Sequence, residues 1–207
     1  MQSLARKGTA TRRAGAETAA KLIATAHDLL ETEPLARFSM RNIAESAGVS
    51  LANLQYYFPK REDLVHAMSI DLDQRYRQAQ KNVLADIDIN SPLERFKAVL
   101  RYQLEDITLK ETRQFFIQYW ALAGSMDDFE GEYLRDLYAF DVQQINEHLA
   151  ALRPELSNTR LMEISTMIAA MIEGLMLMIG GKNQAKTMKA QLVNAALESA
   201  MAVALAE

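Results

Sequence analysis

The chain has 207 residues, 49% of them hydrophobic, with only eight Gly and four Pro, which suits a compact, largely helical protein with an ample core. It has no cysteine, so disulfides, thiolate zinc sites and cysteine nucleophiles are excluded, and a reducing cytoplasm is the compatible location. The net charge of −4 is unevenly divided: residues 1–61 hold nine Lys and Arg against five Asp and Glu, a balance of +4, and the remainder carries −8. A phosphate backbone would attract the first part and repel the second.

Residues 1 to about 15 are expected to be unstructured, with Arg6, Lys7, Arg12 and Arg13 forming a basic arm that either solubilises the chain or follows a groove. From Glu17 to Glu31, Leu22, Ile23, Ala26, Leu29 and Leu30 recur at helical spacing, and Pro34 stops the helix. A short helix then begins at the N-cap candidate Ser39, with Met40, Ile43, Ala44 and Ala47 as its apolar face. Gly48 suits a left-handed exit, and Ser50 is the N-cap candidate of a second short helix buried through Leu54, Tyr57 and Phe58. Longer helices are predicted from Arg61 to about Leu84, Pro92 to about Leu109, Glu111 to about Ala123 and about Phe129 to Leu152. Two more follow, from Leu161 to Ile179 and from about Ala185 to Ala204. No strand or internal repeat is evident, so the expectation is an all-α fold of about nine helices. It divides into a helix-turn-helix head over residues 1–65 and a larger body over residues 66–207.

Two short helices around a glycine occur in many helical proteins, so the chemistry around the turn has to decide. Leu51, Ala52, Asn53, Gln55 and Tyr56 are spaced to face outward. Asn and Gln can pair with adenine edges, and small apolar groups can meet a thymine methyl. Tyr57, Lys60 and Arg61 stand where phosphates would flank that groove, and Ser39, Arg41 and Ser50 complete the candidate DNA-binding set.

The segments IAESAGVS (Ile43 to Ser50) and YYFPKREDL (Tyr56 to Leu64), with Ala26 upstream, resemble the TetR family of transcriptional regulators over about the first 65 residues. Pro34, Gln55 and Arg61 depart from that pattern, standing where a glycine, an aromatic residue and a lysine are usual. The resemblance implies Tyr57 and Arg61 as phosphate contacts. It also implies a homodimer through the last two helices on a palindromic operator, and a body that binds a small-molecule effector. The apolar, Met-rich helix from Leu161 to Ile179 independently asks for a partner, because one neighbour cannot cover all its apolar faces. A buried helix is expected there rather than a membrane span, and no membrane association is expected.

Phe116, Tyr119, Trp120, Tyr138, Met167, Met171 and Glu173 are candidate ligand-binding residues, although such a stripe is also what ordinary core looks like. Glu173 would anchor a cationic or hydroxylated ligand, cap a neighbouring helix or face the dimer partner; beside Trp120 and the tyrosines, a cage for a quaternary amine is conceivable. His27, His66 and His148 are too scattered for a metal site, no nucleophile–base pair or phosphate loop is evident, and no cofactor is implied. Three classes follow: a ligand-released repressor, a DNA-binding regulator controlled by a protein partner, and a helical enzyme or carrier reusing the layout.

Overall fold

The computed structural model describes residues 2–126, 132–180 and 186–206, with side chains described from residues 14, 138 and 187 onward where the first residues of a segment are given as backbone alone. The basic side chains Arg6, Lys7, Arg12 and Arg13, and Tyr133 and Leu137, lie outside that description. Among the described residues there are nine α-helices and no strand, so the fold is all-α.

The first helix, α1, spans Gln2–Thr32 and so includes the stretch expected to be unstructured. The reason is local: Ala10, Ala14 and Ala16 with Arg12, Arg13 and Glu17 favour helix, and no proline intervenes before Pro34. Leu22, Ala26 and Leu30, one turn apart, are completely buried. Pro34, in extended conformation, then directs the chain through a single 3-10 turn, Leu35–Arg37, instead of a glycine-built exit.

Helices α2 (Met40–Ser46) and α3 (Leu51–Tyr57) each start at a serine cap. Ser39 Oγ accepts the Asn42 amide at 3.2 Å, and Ser50 Oγ accepts that of Asn53 at 3.1 Å. Between them the Gly48 amide donates to Glu45 O at 3.0 Å and the Val49 amide to Ala44 O at 2.9 Å, the paired bonds of a Schellman ending. Gly48 has φ +68, a left-handed conformation in which a side chain is strained. Ile43, Ala44, Ala47 and Leu54 are buried at this crossing.

Helix α4 (Arg61–Leu84) starts with Glu62 and Asp63, whose charges suit a helix N-terminus, and Asp63 Oδ2 accepts the Lys60 amide at 2.9 Å. Leu64, Val65, Met68 and Leu72 form its buried stripe. The body adds α5 (Pro92–Asp106), α6 (Lys110–Gly124), α7 (Glu132–Leu152), α8 (Asn158–Met178) and α9 (Lys186–Leu205). Helix α1 packs on α2, α4 and α6; α5 packs on α4, α7 and α9; and α8 lies between α7 and α9.

Head and body share one continuous hydrophobic cluster. Their junction is also hydrogen-bonded. Gln118 Nε2 donates to Leu30 O at 2.5 Å and Glu33 O at 2.9 Å, satisfying carbonyls that the end of α1 leaves open. The Tyr119 hydroxyl donates to Val65 O of α4 at 3.3 Å. Helix α8 is long and apolar enough to cross a membrane, but Leu161, Ile164, Ile168, Ile172 and Met176 bury one face of it as a core helix would.

Candidate nucleic-acid interface and body cavity

Helix α3 is anchored by Leu54, which is fully buried, and by Phe58 just past its end. This anchoring fixes which residues face out. Ala52, Asn53, Gln55 and Tyr56 are exposed, Tyr56 to 80%, while Leu51 and Tyr57 are half-buried. Arg41, Ser50 and Lys60 are exposed, and Ser39 and Arg61 half-buried. The expected contact set therefore lies around one short helix and its two flanks. Tyr56 and Tyr57 meet edge to face at 5.2 Å between ring centroids. Tyr57 also stands beside α1, its hydroxyl 3.7 Å from where a side chain on Gly15 would begin.

A second feature lies inside the body. A small, partly open cavity of about 30 Å³ is lined by residues of α4, α5, α6, α7 and α8. Its acids are Asp106, Asp141 and Glu173, with Tyr76 and Gln103 as the other polar walls, and among the described residues no basic one lines it. Asp106 is provided for: Tyr76 donates to its Oδ2 at 2.6 Å and Thr112 to its Oδ1 at 3.3 Å. Burial nonetheless raises the Asp106 carboxyl above the usual range, against the lowering effect of those two bonds.

Asp141 and Glu173 are different. Burial raises both, and the contact between the two carboxyls raises Glu173 further while holding Asp141 lower, so Glu173 keeps its proton to the higher pH. Glu173 Oε2 and Gln103 Oε1 are buried acceptors that no donor among the described residues satisfies. Tyr138 is raised by burial first and then by Glu173 and Asp141.

Of the ligand-binding candidates, Phe116 and Glu173 line this cavity, whereas Tyr119, Trp120, Tyr138, Met167 and Met171 are not among its lining. Tyr119 is core, stacked on Phe115 at 5.4 Å. Trp120 packs against the core beside Phe116, and Met167 points out of the body, 57% exposed. Sequence reasoning passed over Tyr76, Gln103, Asp106 and Asp141. The available signal was a carboxylate in register with a buried stripe, as Asp141 is with Ile145 and Leu149. Among the described residues no acid–histidine cluster suited to a metal is present.

A second groove of about 270 Å³ opens at the junction of α1, α4, α5 and α6. It shares Tyr76, Asp106 and Phe116 with the inner cavity, so the Tyr76–Asp106 hydrogen bond stands in the wall between the two.

Fold and head together define a helix-turn-helix joined to an all-α body. Residues 22–68 match the family model of bacterial regulatory proteins, tetR family. It is 33% identical over 140 residues to an uncharacterized HTH-type transcriptional regulator in the dhlA 5′ region of Xanthobacter autotrophicus, covering 64% of this chain and 65% of that protein. It is 35% identical over 77 residues to the HTH-type transcriptional regulator EthR of Mycobacterium tuberculosis, covering 37% and 34% respectively. The matches thus span less than two thirds of these relatives. Among solved structures, a TetR-family regulator from Rhodococcus sp. superposes with a TM-score of 0.71 at 18% identity, covering 91% of this chain and 98% of that one. A transcriptional regulator from Saccharomonospora viridis in complex with choline gives 0.66 at 18% identity, with coverages of 88% and 96%. RolR in complex with resorcinol gives 0.60 at 20% identity, with coverages of 95% and 97%. At these identities the structural likeness speaks for the fold.

Proposed function

We propose that this chain acts without catalysis, in the cytoplasm, as a homodimeric repressor that reads a palindromic operator and is released by a small molecule bound in the body. The observation that carries the DNA reading is the outward face of α3, where Ala52, Asn53, Gln55 and Tyr56 are exposed on a helix capped and anchored on its other side. In a major groove, Asn53 and Gln55 would read base edges, with Leu51, Ala52 and Tyr56 beside them. Ser39, Arg41, Ser50, Tyr57, Lys60 and Arg61 would hold phosphates and set the register.

The dimer reading rests on the outer face of α8, where Met162, Met167, Leu177 and Met178 are exposed together, Met178 to 76%. Met188 and Leu205 continue the apolar surface on α9. A two-fold axis through this face would present two copies of α3 to successive half-sites. The ligand reading rests on the body cavity, and is supported by structures of the same fold that hold choline and resorcinol. Control by a protein partner is the competing reading.

Gel shifts with DNA from the chain's own promoter region test the DNA reading. A salt-sensitive, sequence-selective complex is expected, and its absence overturns the proposal. A metabolite panel followed by thermal shift tests the sensor. A compound that raises Tm and releases the operator from the parent, but does neither with Ala169→Phe, places the effector in the cavity. If no compound raises Tm, control by a partner takes its place.

A further inference from the structure

The cavity holds an electrostatic imbalance that the chain itself does not correct. Three carboxyls converge on it from α5, α7 and α8, and among the described residues its lining contains no Lys, Arg or His. Asp106 is satisfied by Tyr76 and Thr112. In the Asp141–Glu173 pair each carboxyl is the other's partner, and among the described residues no cation enters its electrostatic balance. Two half-buried carboxyls in contact share one proton most readily, which leaves one negative charge facing the cavity. A partly buried charge of this kind asks for a counter-ion.

Acceptors are in excess as well. Glu173 Oε2 and Gln103 Oε1 are both buried and receive no hydrogen bond among the described residues, and both residues line the same cavity. An alcohol could satisfy one acceptor but not the charge, and an anion would add to it. A quaternary ammonium would supply the charge without donors.

We propose that the cavity, widening from its present water-sized volume, takes an organic cation with N–H donors, a protonated amine or amidine, its head held by Asp141, Glu173 and Gln103 and its apolar part against Phe116, Ile145 and Ile172. This rests on the reading of the body as a ligand sensor and names the ligand's chemical class. Binding is also a proton exchange. The free pair holds one proton on Glu173; when the cation's N–H groups take over both carboxylates, that proton leaves to solvent, and no other bond changes. The groups facing the pair are Tyr76 from α4, Asp106 from α5 and Tyr138 from α7, while α6 contributes the uncharged Phe116. Tyr76 and Tyr138 are raised above their usual value and stay neutral, so the pair is the group that titrates. Affinity should therefore rise with pH through the range where Glu173 loses its proton, since the free protein binds one proton more than the complex.

The test uses the full chain and four probes of one shape: benzylamine, benzyltrimethylammonium, benzyl alcohol and benzoate. Titration calorimetry at about pH 7, in two buffers of different ionisation enthalpy, should show benzylamine binding at least about tenfold tighter than the other three. It should also show release of a proton to the buffer, and Asp141→Asn and Glu173→Gln should each abolish the preference. Benzyl alcohol or benzoate binding as tightly as benzylamine overturns the cation while leaving the sensor intact. Equal binding of benzyltrimethylammonium overturns the need for N–H donors. Benzylamine binding without proton release, or unchanged in both variants, overturns the role of the pair. No binding by any probe overturns the inference, and the sensor reading falls separately if the metabolite panel also fails. Should either variant not fold, the proton count on the parent decides.

Discussion

His27 sits at the joint between head and body, almost wholly buried, its Nε2 3.3 Å from Asp71 Oδ2 and its ring stacked 5.1 Å from Phe115. Burial, reinforced by the nearby Arg75 guanidinium, lowers its pKa from 6.5 to about 4, the opposing pull of Asp71 being weaker. A depressed folded-state pKa means the unfolded chain binds the proton first. The stability this site contributes is complete above the unfolded pKa of 6.5 and is lost as pH falls toward about 4, a loss of about 3 kcal/mol at most. Urea unfolding at several pH values should show this acid slope, and His27→Phe should flatten it. On the outer face of α3 the consequences are of another kind. Gln55→Ala should change which operator bases are preferred, by about 1–3 kcal/mol at one position, whereas Tyr57→Ala should weaken binding to all sequences alike. Gel shifts on a set of singly altered operators separate the two, and parental behaviour in both variants would mean that α3 is not the reading helix.

At the scale of elements, the turn between α2 and α3 was legible because everything that builds it is local. Ser39, Gly48 and Ser50 act on amides within a few residues of themselves, so their roles follow from position alone. The start of α1 was misjudged because basic residues suggested an arm, while the alanines among them sustain helix. The cavity was much less legible. Tyr76, Asp106, Asp141 and Glu173 come from four helices, and their meeting depends on the rotation of each about its axis, which packing decides. Met167 shows the converse: on a helix apolar all round, sequence does not say which face looks inward. The hydrogen bond from Tyr76 on α4 to Asp106 on α5 ties the rod that leads to the head to the cavity wall. Tyr76→Phe removes the tie without removing the ring. Operator affinity should then respond less to a bound effector, a change of several-fold in the release ratio measured by gel shift with and without ligand.

For the whole molecule, the division of charge makes a quantitative statement. An acidic body forces DNA to approach from the head, so binding should weaken steeply with salt. Replacing Lys60 or Arg61 by Gln should lower the slope of log affinity against log salt by about one each. The exposed methionines of α8 bear on assembly. Met167→Glu places a charge in the proposed interface, and sedimentation equilibrium should show dimers giving way to monomers with the helical content unchanged.

Helix α4 has no glycine or proline between Arg61 and Leu84, so it behaves mechanically as one stiff bar. Arg61, just past α3, and Tyr76, in the cavity wall, are separated along it by about 22 Å. A tilt of about 5° at the cavity end would displace the other end by about 2 Å. Applied in opposite senses in the two subunits of the proposed dimer, that would change the distance between the two copies of α3 by about 4 Å, more than one base-pair step of about 3.4 Å. On that proposal the bar would work as a gear. A displacement at Tyr76 too small to disturb the core would become, at the far end, the difference between matching the pitch of the double helix and missing it.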